Sequence, residues 1–477
     1  MKNISMADLE PKSVWRYFAE ICSIPHPSGR EAALAKRILE LAAGRGLKSR
    51  IDSAGNVRID RPAAAGCGER RKILLQAHMD MVPQAAPGLN FDFTTMPIKP
   101  IVRGGWIVTD GTTLGADDAI GLAMALDILF DKSLKTGPLA GIFTVSEETG
   151  LVGAQAIDPA FLDGDYLINL DGGDETHFCI GCAGGCRLEL NFSPETVPAA
   201  DDHGLEIKLS GLRGGHSGMD IDKQRGNALI YLCRFLASEP GLRIASIEGG
   251  SVENAIPREA AALTACDEAP ESVQERADRF RAALAREFEA PVEFRITAAP
   301  AALPAATWRR EFQEKLLGAV TAAPDGVMAR SKEFNCVSTS CNLAAMHSGK
   351  GTLVIRTSQR SMIDAERAAL TDKISAHFSA IGGAPKPGTV YPGWKPRTDS
   401  ALLRKAVELK EKLSGERPHF NVSHGGLEAA IFCALNPKLE IISFSPNALD
   451  LHSPAERLEI ASVGRTHRFL RSLVEQG

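Results

Sequence analysis

The chain has 477 residues, 44% of them hydrophobic and 24% charged, the make-up of a globular protein too long for a single ordinary core and suited to roughly two or three domains. A net charge of −5 supplies no global basic field for nucleic acid, and no apolar run approaches the roughly 18 residues that a membrane-spanning helix requires. The first residues, MKNISMADLEPKSVWRYF, lack the apolar core of a secretion signal, so the expected location is cytoplasmic, with neither nucleic acid nor membrane as partner.

A helix is expected around Val14–Cys22, broken by the Pro and Gly of SIPHPSG, and a second over Glu31–Ala43. KILLQAHMDMV (72–82) alternates as a strand does: Ile73, Leu75, Ala77, Met79 and Met81 share one face, and Leu74, Gln76, His78 and Asp80 the other. A helix at about Ala119–Leu129 and strands at 140–146 and 165–170 follow. Strands alternating with helices predict an open α/β sheet.

From about Leu188 the pattern becomes α+β. Strands are expected at RLELNF, GLEIKLSG and PVEFRITA, with helices near Gly226–Ser238 and Glu271–Glu289. GGAPKPGTVYPGWKP (382–396) reads as a linker because of its Pro and Gly content. Beyond it the α/β character returns: a helix at SALLRKAVELKEKLSG, the Gly-rich turn SHGGLEAAIF, the strand LEIISFS and a last helix. The economical division is an α/β domain, 1–186 and 389–477, interrupted by an inserted domain over 187–388.

Ten cysteines spread from Cys22 to Cys433 are not disulfide density. Cys179, Cys182 and Cys186 in FCIGCAGGC lack a fourth ligand at zinc-site spacing, so they read as small apolar residues in a tight Gly-rich loop.

The unusual polar residues fall at strand ends. His78 and Asp80 end one strand, Glu147 and Glu148 the next, and Asp171 the third. Asp117 and Asp118 lie in TTLGADDAIG before a helix, and His452 in the loop NALDLHSP. Taken singly, each has an ordinary explanation as a helix cap, a turn residue or a solvated face. Together they bring carboxylates and imidazoles from five segments to the carboxyl edge of an open sheet, where ligands bind. So many acids in one crevice repel one another unless a cation neutralises them. Two histidines and three or four carboxylates suffice for two metals, each taking one His and one terminal carboxylate with an Asp bridging. Such ligands suit zinc, with cobalt or manganese as substitutes. An Asp two residues from a ligating His on the same strand face is placed to orient that ring. Of two adjacent glutamates, one can bind metal and the other serve as a base.

QAHMDMV, TTLGADDAIG, TVSEETG, NLDGGDE, IGCAGG, GGHSG, NAIPRE and HGGLE together resemble the aminoacyl-histidine dipeptidases, cytosolic non-specific dipeptidases of the peptidase D type within the di-zinc exopeptidases and deacylases. The likeness runs from SIPHPSG to the final helix. It implies an α/β fold of the zinc-exopeptidase kind: an open mixed-sheet catalytic domain with helices on both faces, interrupted by an α+β lid through which a homodimer forms. It also implies two Zn²⁺ per chain. Asp117 would bridge the metals, His78 and Asp171 would complete one site, and Glu148 and His452 the other. Glu147 would be the general base, Asp80 would orient His78, and the Asp117–Asp118 peptide would be cis. In the lid, His216 would stabilise the oxyanion across the dimer, Asn254 would hydrogen-bond the substrate, and Gly426 would offer backbone atoms near the substrate terminus. Arg360 would grip the substrate carboxylate, with Arg356, of the same strand parity, as the alternative. The implied activity is hydrolysis of unblocked dipeptides, of the Xaa-His type and more broadly, by a two-metal-activated water. The rivals are an N-acyl amino acid deacylase or carboxypeptidase on the same apparatus, and a non-catalytic binding protein on a decayed hydrolase scaffold. The intact ligand set and base count against the last. The lid looks somewhat short at ALTACDEAPESV and around APDGVMARS, which leaves the substrate range open.

Overall fold

The computed structural model describes residues 5–172 and 174–476. The chain folds into two compact units. The first comprises Met1–Gly181, Trp394–Val422 and Leu427–Gly477, and the second Cys182–Gly393 and Ser423–Gly426. Among the described residues no helix is long and apolar enough to cross a membrane.

The first unit is built on an eight-stranded mixed sheet. Its order is Lys48–Ile51, Val57–Arg61, Leu139–Thr144, Ile73–His78, Tyr166–Asn169, Glu440–Ser443, His177–Cys182 and His419–Ser423. Ile73–His78 runs parallel to both neighbours, Leu139–Thr144 and Tyr166–Asn169, and Glu440–Ser443 continues the parallel set. Parallel strands are covered on both faces, and all six residues of Ile73–His78 are buried. The polar face expected from alternation is therefore not a solvated one. Gln76 sits inside the sheet because its amide is satisfied: Nε2 donates to Glu428 Oε2 at 2.6 Å, and Oε1 accepts from Asn169 Nδ2 at 2.6 Å.

Helix Lys12–Cys22 buries Val14, Trp15, Phe18 and Ile21, a spacing that forms one helical stripe. Trp15 Nε1 donates to Glu10 O at 3.2 Å, so its indole is satisfied as well as packed. The helix assigned over Ala116–Phe130 is buried on nearly every side, as its apolar sequence requires. Asp117 and Asp118 have non-helical backbone within it, so regular turns begin at Ala119.

The second unit carries a nine-stranded sheet. Eight of its strands lie in the order Arg295–Ala301, His203–Ser210, Ala260–Cys266, Arg243–Gly249, Cys336–Gly349, Thr352–Ser361, Gly184–Phe192 and Ala384–Tyr391; the ninth, Gly326–Ser331, pairs with Cys336–Gly349. Its core includes Leu205, Ile207, Phe235, Ile244, Leu343 and Phe378. Two expectations are corrected here. The segment read as a linker contains the edge strand Ala384–Tyr391, paired antiparallel with Gly184–Phe192 and bulged between Pro387 and Val390. An edge strand has one bonded flank only, so prolines without N–H are tolerated there. FCIGCAGGC is not a loop either. Cys179 and Cys182 lie on His177–Cys182 and Cys186 on Gly184–Phe192, all three buried, and among the described residues no disulfide forms.

Helix Ala116–Phe130 is tied to the last helix, Ile460–Glu475, by Asp127 Oδ2 and His467 Nε2, 2.7 Å apart. Burial alone would raise the Asp127 carboxyl. Hydrogen bonds from His467 and Ser13 outweigh it and hold the group below the usual carboxylate range. A depressed acid stabilises the fold above its unfolded pKa, and that contribution is lost as pH falls through the folded one. Unfolding free energy is therefore expected to fall below about pH 4, and less steeply in Asp127→Asn. Parallel acid-denaturation curves for the two proteins would show that this pair carries no such linkage.

Candidate functional site

Because Ile73–His78, Leu139–Thr144 and Tyr166–Asn169 are parallel, their carboxyl ends share one edge of the sheet. His78 closes the first, Glu147 and Glu148 follow the second, and Asp171 follows the third. Among the described residues one group of three side chains has its ligand atoms within 4.8 Å of one another: His78, Asp117 and Glu148. His78 Nε2 lies 3.0 Å from Asp117 Oδ1, and His452 Nε2 lies 3.3 Å from Asp117 Oδ2. Each oxygen of a single carboxylate thus faces a different imidazole. His452 Nε2 is also 2.8 Å from Glu148 Oε1. The Asp117–Asp118 peptide is cis.

Asp171 stands outside the three-residue group but within its field. Burial first, and then the charge of Asp117, hold its carboxyl well above the usual range. Glu147 is raised in the same way by burial, with Glu148, Glu428 and Asp117 adding to it against His78. His452 is pushed up to about 10 by its hydrogen bonds to Asp117 and Glu148. For His78 burial favours the neutral ring, and Asp117 and Asp80 outweigh it. Among the described residues, neither the Glu147 nor the Asp171 carboxylate accepts a hydrogen bond. Imidazole nitrogens and crowded carboxylates lacking donors form a set that a divalent cation would relieve.

The acids that brace this cluster are satisfied differently. Asp80 Oδ1 accepts from Glu147 N–H at 2.9 Å, and Oδ2 from Ser28 Oγ at 2.7 Å and Glu148 N–H at 3.2 Å. His78 Nδ1 lies 3.0 Å from Asp80 O and 3.5 Å from Asp80 Oδ1. Asp80 therefore connects the His78 ring to the backbone of both glutamates.

Three supports escaped the sequence reading. Glu456, 2% exposed, accepts from Leu114 and Gly115 N–H through Oε2 (2.8 and 3.0 Å) and from Ala116 N–H through Oε1 (2.8 Å), with Asp117 N at 3.5 Å. It pins the segment carrying Asp117 to the loop carrying His452. Glu428 Oε2 accepts from Gln76 Nε2 and Thr144 Oγ1 (2.6 and 2.7 Å), joining the two strands that deliver His78 and the glutamates. Glu31 Oε1 accepts from the Ser146 N–H and hydroxyl (2.9 and 3.0 Å). The only sequence signal was proximity, with Glu456 four residues after His452 and Glu428 closing HGGLE.

The remaining candidates lie in the second unit. Gly215–His216 pairs with Ala255–Ile256, and Ser217 N–H donates to Asn254 O at 2.7 Å, so His216 and Asn254 come together. They line an open depression with Arg213 and Arg258. Arg356 Nε donates to Glu189 Oε2 at 3.1 Å. Arg360, 7% exposed, has no carboxylate partner among the described residues. Its Nη1 donates to Tyr391 Oη at 2.9 Å and to His424 O at 3.4 Å, and its Nε is buried without an acceptor. Gly426 lies against the Tyr391 ring: a Cβ there would fall 2.6 Å from Cε2.

The family model described as peptidase family M20/M25/M40 matches residues 74–476. The cytosol non-specific dipeptidase of Escherichia coli is 34% identical over 99% of both chains. The crystal structure of an aminoacylhistidine dipeptidase from Vibrio alginolyticus superposes with a TM-score of 0.86 at 35% identity, covering 99% of this chain and 98% of that one. A tripeptidase from Staphylococcus aureus, 17% identical over 98% of each chain with a TM-score of 0.57, shares the fold.

Removing Glu456 would leave at least three backbone donors buried without an acceptor. Glu456→Ala is expected to cost about 2–5 kcal/mol in urea unfolding, since each orphaned buried group costs about 1–3 kcal/mol. A change below about 1 kcal/mol would mean that this carboxylate is not what holds the Leu114–Asp117 segment.

Proposed function

The chain belongs to peptidase family M20/M25/M40, and we propose that it is a two-metal dipeptidase cleaving the peptide bond of unblocked dipeptides, of the Xaa-His type and more broadly. The observation that carries the two-metal reading is the division of Asp117, one oxygen toward His78 and the other toward His452. His78 and Asp171 would hold one cation and Glu148 and His452 the other, with Asp117 shared. The donor set favours Zn²⁺, with Co²⁺ or Mn²⁺ as substitutes. When bound, such cations lower the pKa of a water and polarise a carbonyl.

Glu147 is the base. Its backbone is fixed by Asp80 and its carboxylate is unoccupied, so it can take a proton from water and deliver it to the leaving amine. Asp80 orients His78. His216 donates to the developing oxyanion and Asn254 to the substrate backbone. Arg360, rather than Arg356, which is already paired with Glu189, grips the free carboxylate, and Gly426 leaves backbone exposed near it. The likeness to a cytosol non-specific dipeptidase and an aminoacylhistidine dipeptidase supports dipeptides as substrates and the cytosol as location. Homodimerisation through the second unit follows the resemblance, and the exposed Met219 and Val252 of that unit support it.

Metal analysis after gentle purification is expected to find about two zinc per chain, with cleavage of β-Ala-His, Gly-His or Cys-Gly abolished by chelator. No metal, and no cleavage after zinc, manganese or cobalt is restored, would remove the two-metal reading. Faster cleavage of N-acyl amino acids than of dipeptides would favour the deacylase.

Glu147→Ala is expected to lose at least about 100-fold in turnover while keeping its metal, the scale of general acid–base catalysis. Turnover within about tenfold of the parent would defeat the assignment of the base.

A further inference from the structure

Four strands of the second unit's sheet place Ser340, Arg360, Gly185 and Tyr391 in one row across the ladder. Residues directly opposite on antiparallel strands project to the same face. Arg360 and Tyr391 are separated by one intervening strand, about 9–10 Å from strand to strand. Any side chain at position 185 would stand between them.

Gly185 has none, and the Tyr391 ring leans across it: a Cβ built there would lie 2.4 Å from both Cζ and Oη of Tyr391. That inclination brings Oη to 2.9 Å from Arg360 Nη1. On its other side the ring meets Gly426, where a Cβ would lie 2.6 Å from Cε2. Tyr391 is thus wedged between two glycines that belong to the motifs IGCAGG and HGGLE.

What Tyr391 holds is a buried cation with no carboxylate partner among the described residues. Arg360 is 7% exposed, its known acceptors are a phenol and the His424 carbonyl, and its Nε has no acceptor. A buried guanidinium without a counter-charge is costly unless a ligand supplies one. Burial and the neighbouring Arg360 lower His424 to about 4, so the imidazole stays neutral and adds no second charge. Its Nε2 is 2.7 Å from Ser340 Oγ, which fixes the ring. A tyrosine hydroxyl aims the guanidinium without neutralising it, whereas a carboxylate in the same place would occupy it.

We propose that Tyr391, seated over Gly185, is the positioning residue that holds Arg360 ready for a free carboxylate and thereby sets the discrimination against dipeptides blocked at the C-terminus. This rests on the reading of Arg360 as the carboxylate clamp.

The test compares a dipeptide with its C-terminal amide on the metal-loaded, full-length enzyme, reading KM and kcat for the acid and KM, or Ki against the acid, for the amide. Circular dichroism melts check that each variant is folded. Tyr391→Phe is expected to raise KM for the acid about tenfold with kcat within about twofold, and to leave the amide unchanged, so the acid preference falls by the same factor. Gly185→Ala, where it folds, is expected to act in the same direction and to add little to Tyr391→Phe, because both act through one contact. If Arg360→Lys loses the acid preference while Tyr391→Phe keeps it, the role of Tyr391 is overturned and the clamp stands. If Tyr391→Phe weakens acid and amide alike, the residue is merely structural and the proposal also falls. If the parent does not distinguish acid from amide, or Arg360→Lys does not change the distinction, the clamp reading itself has failed.

Discussion

Repulsion among carboxylates gathered at one sheet edge is the constraint on which the first unit is arranged. Two kinds of acid are visible there, separated by what their oxygens face. Asp80, Glu31 and Glu456 accept from backbone amides or hydroxyls, so dipoles of the fold face them. Glu428 accepts through Oε2 from a hydroxyl and a carboxamide, while its Oε1 is buried without a donor and burial pushes that carboxyl up to about 7. Among the described residues Glu147 and Asp171 meet no donor with either oxygen, and burial, which also raises Glu428 and Glu456, drives their carboxyls well upward. The first kind is scaffolding. The second is left in a state that a cation or a transferable proton would satisfy, which is what metal ligands and a catalytic base require.

The scaffolding acids also explain how segments far apart in sequence are held together. Glu456 lies next to the His452 loop, yet its oxygens are spent on the turn before Ala119. Glu428 starts a helix, yet it bonds to two central strands. Asp80 orients a histidine and, through the same carboxylate, fixes two glutamates 67 and 68 residues later. Displacement of any of these would move more than one candidate ligand. The site therefore depends on buried hydrogen bonds as much as on its own residues.

The second unit holds the opposite imbalance. Arg360 is a buried cation whose protein partners are neutral, while Arg356, four residues away on the same strand, is paired with Glu189. Strand parity could not separate these two arginines, because it gives them the same face. The difference comes from the neighbouring strand, which places Glu189 opposite Arg356 and Gly185 opposite Arg360. Pairing register therefore decides which arginine is left for a ligand.

Much of this was legible in the order of residues. Central strands and helices were recognisable because burial on one or both faces leaves a periodic or continuous apolar signature, as in ILLQAH and in the helix after Asp118. The polar residues at strand ends were conspicuous because they interrupt that signature, and the motifs around them carried the family. Composition misled where it mimics another state. An edge strand bearing prolines looks like a linker, and paired strands of Gly and Cys look like a loop, since neither reading registers hydrogen bonds to a distant partner. The sequence by itself determined which residue types could reach the sheet edge and what chemistry they could perform. Only the tertiary structure decided which acids brace and which remain unsatisfied, which arginine lacks a counter-charge, and why Tyr391 requires a glycine beside it. Those are properties of pairing register and burial, which arise between segments and are written in no one of them.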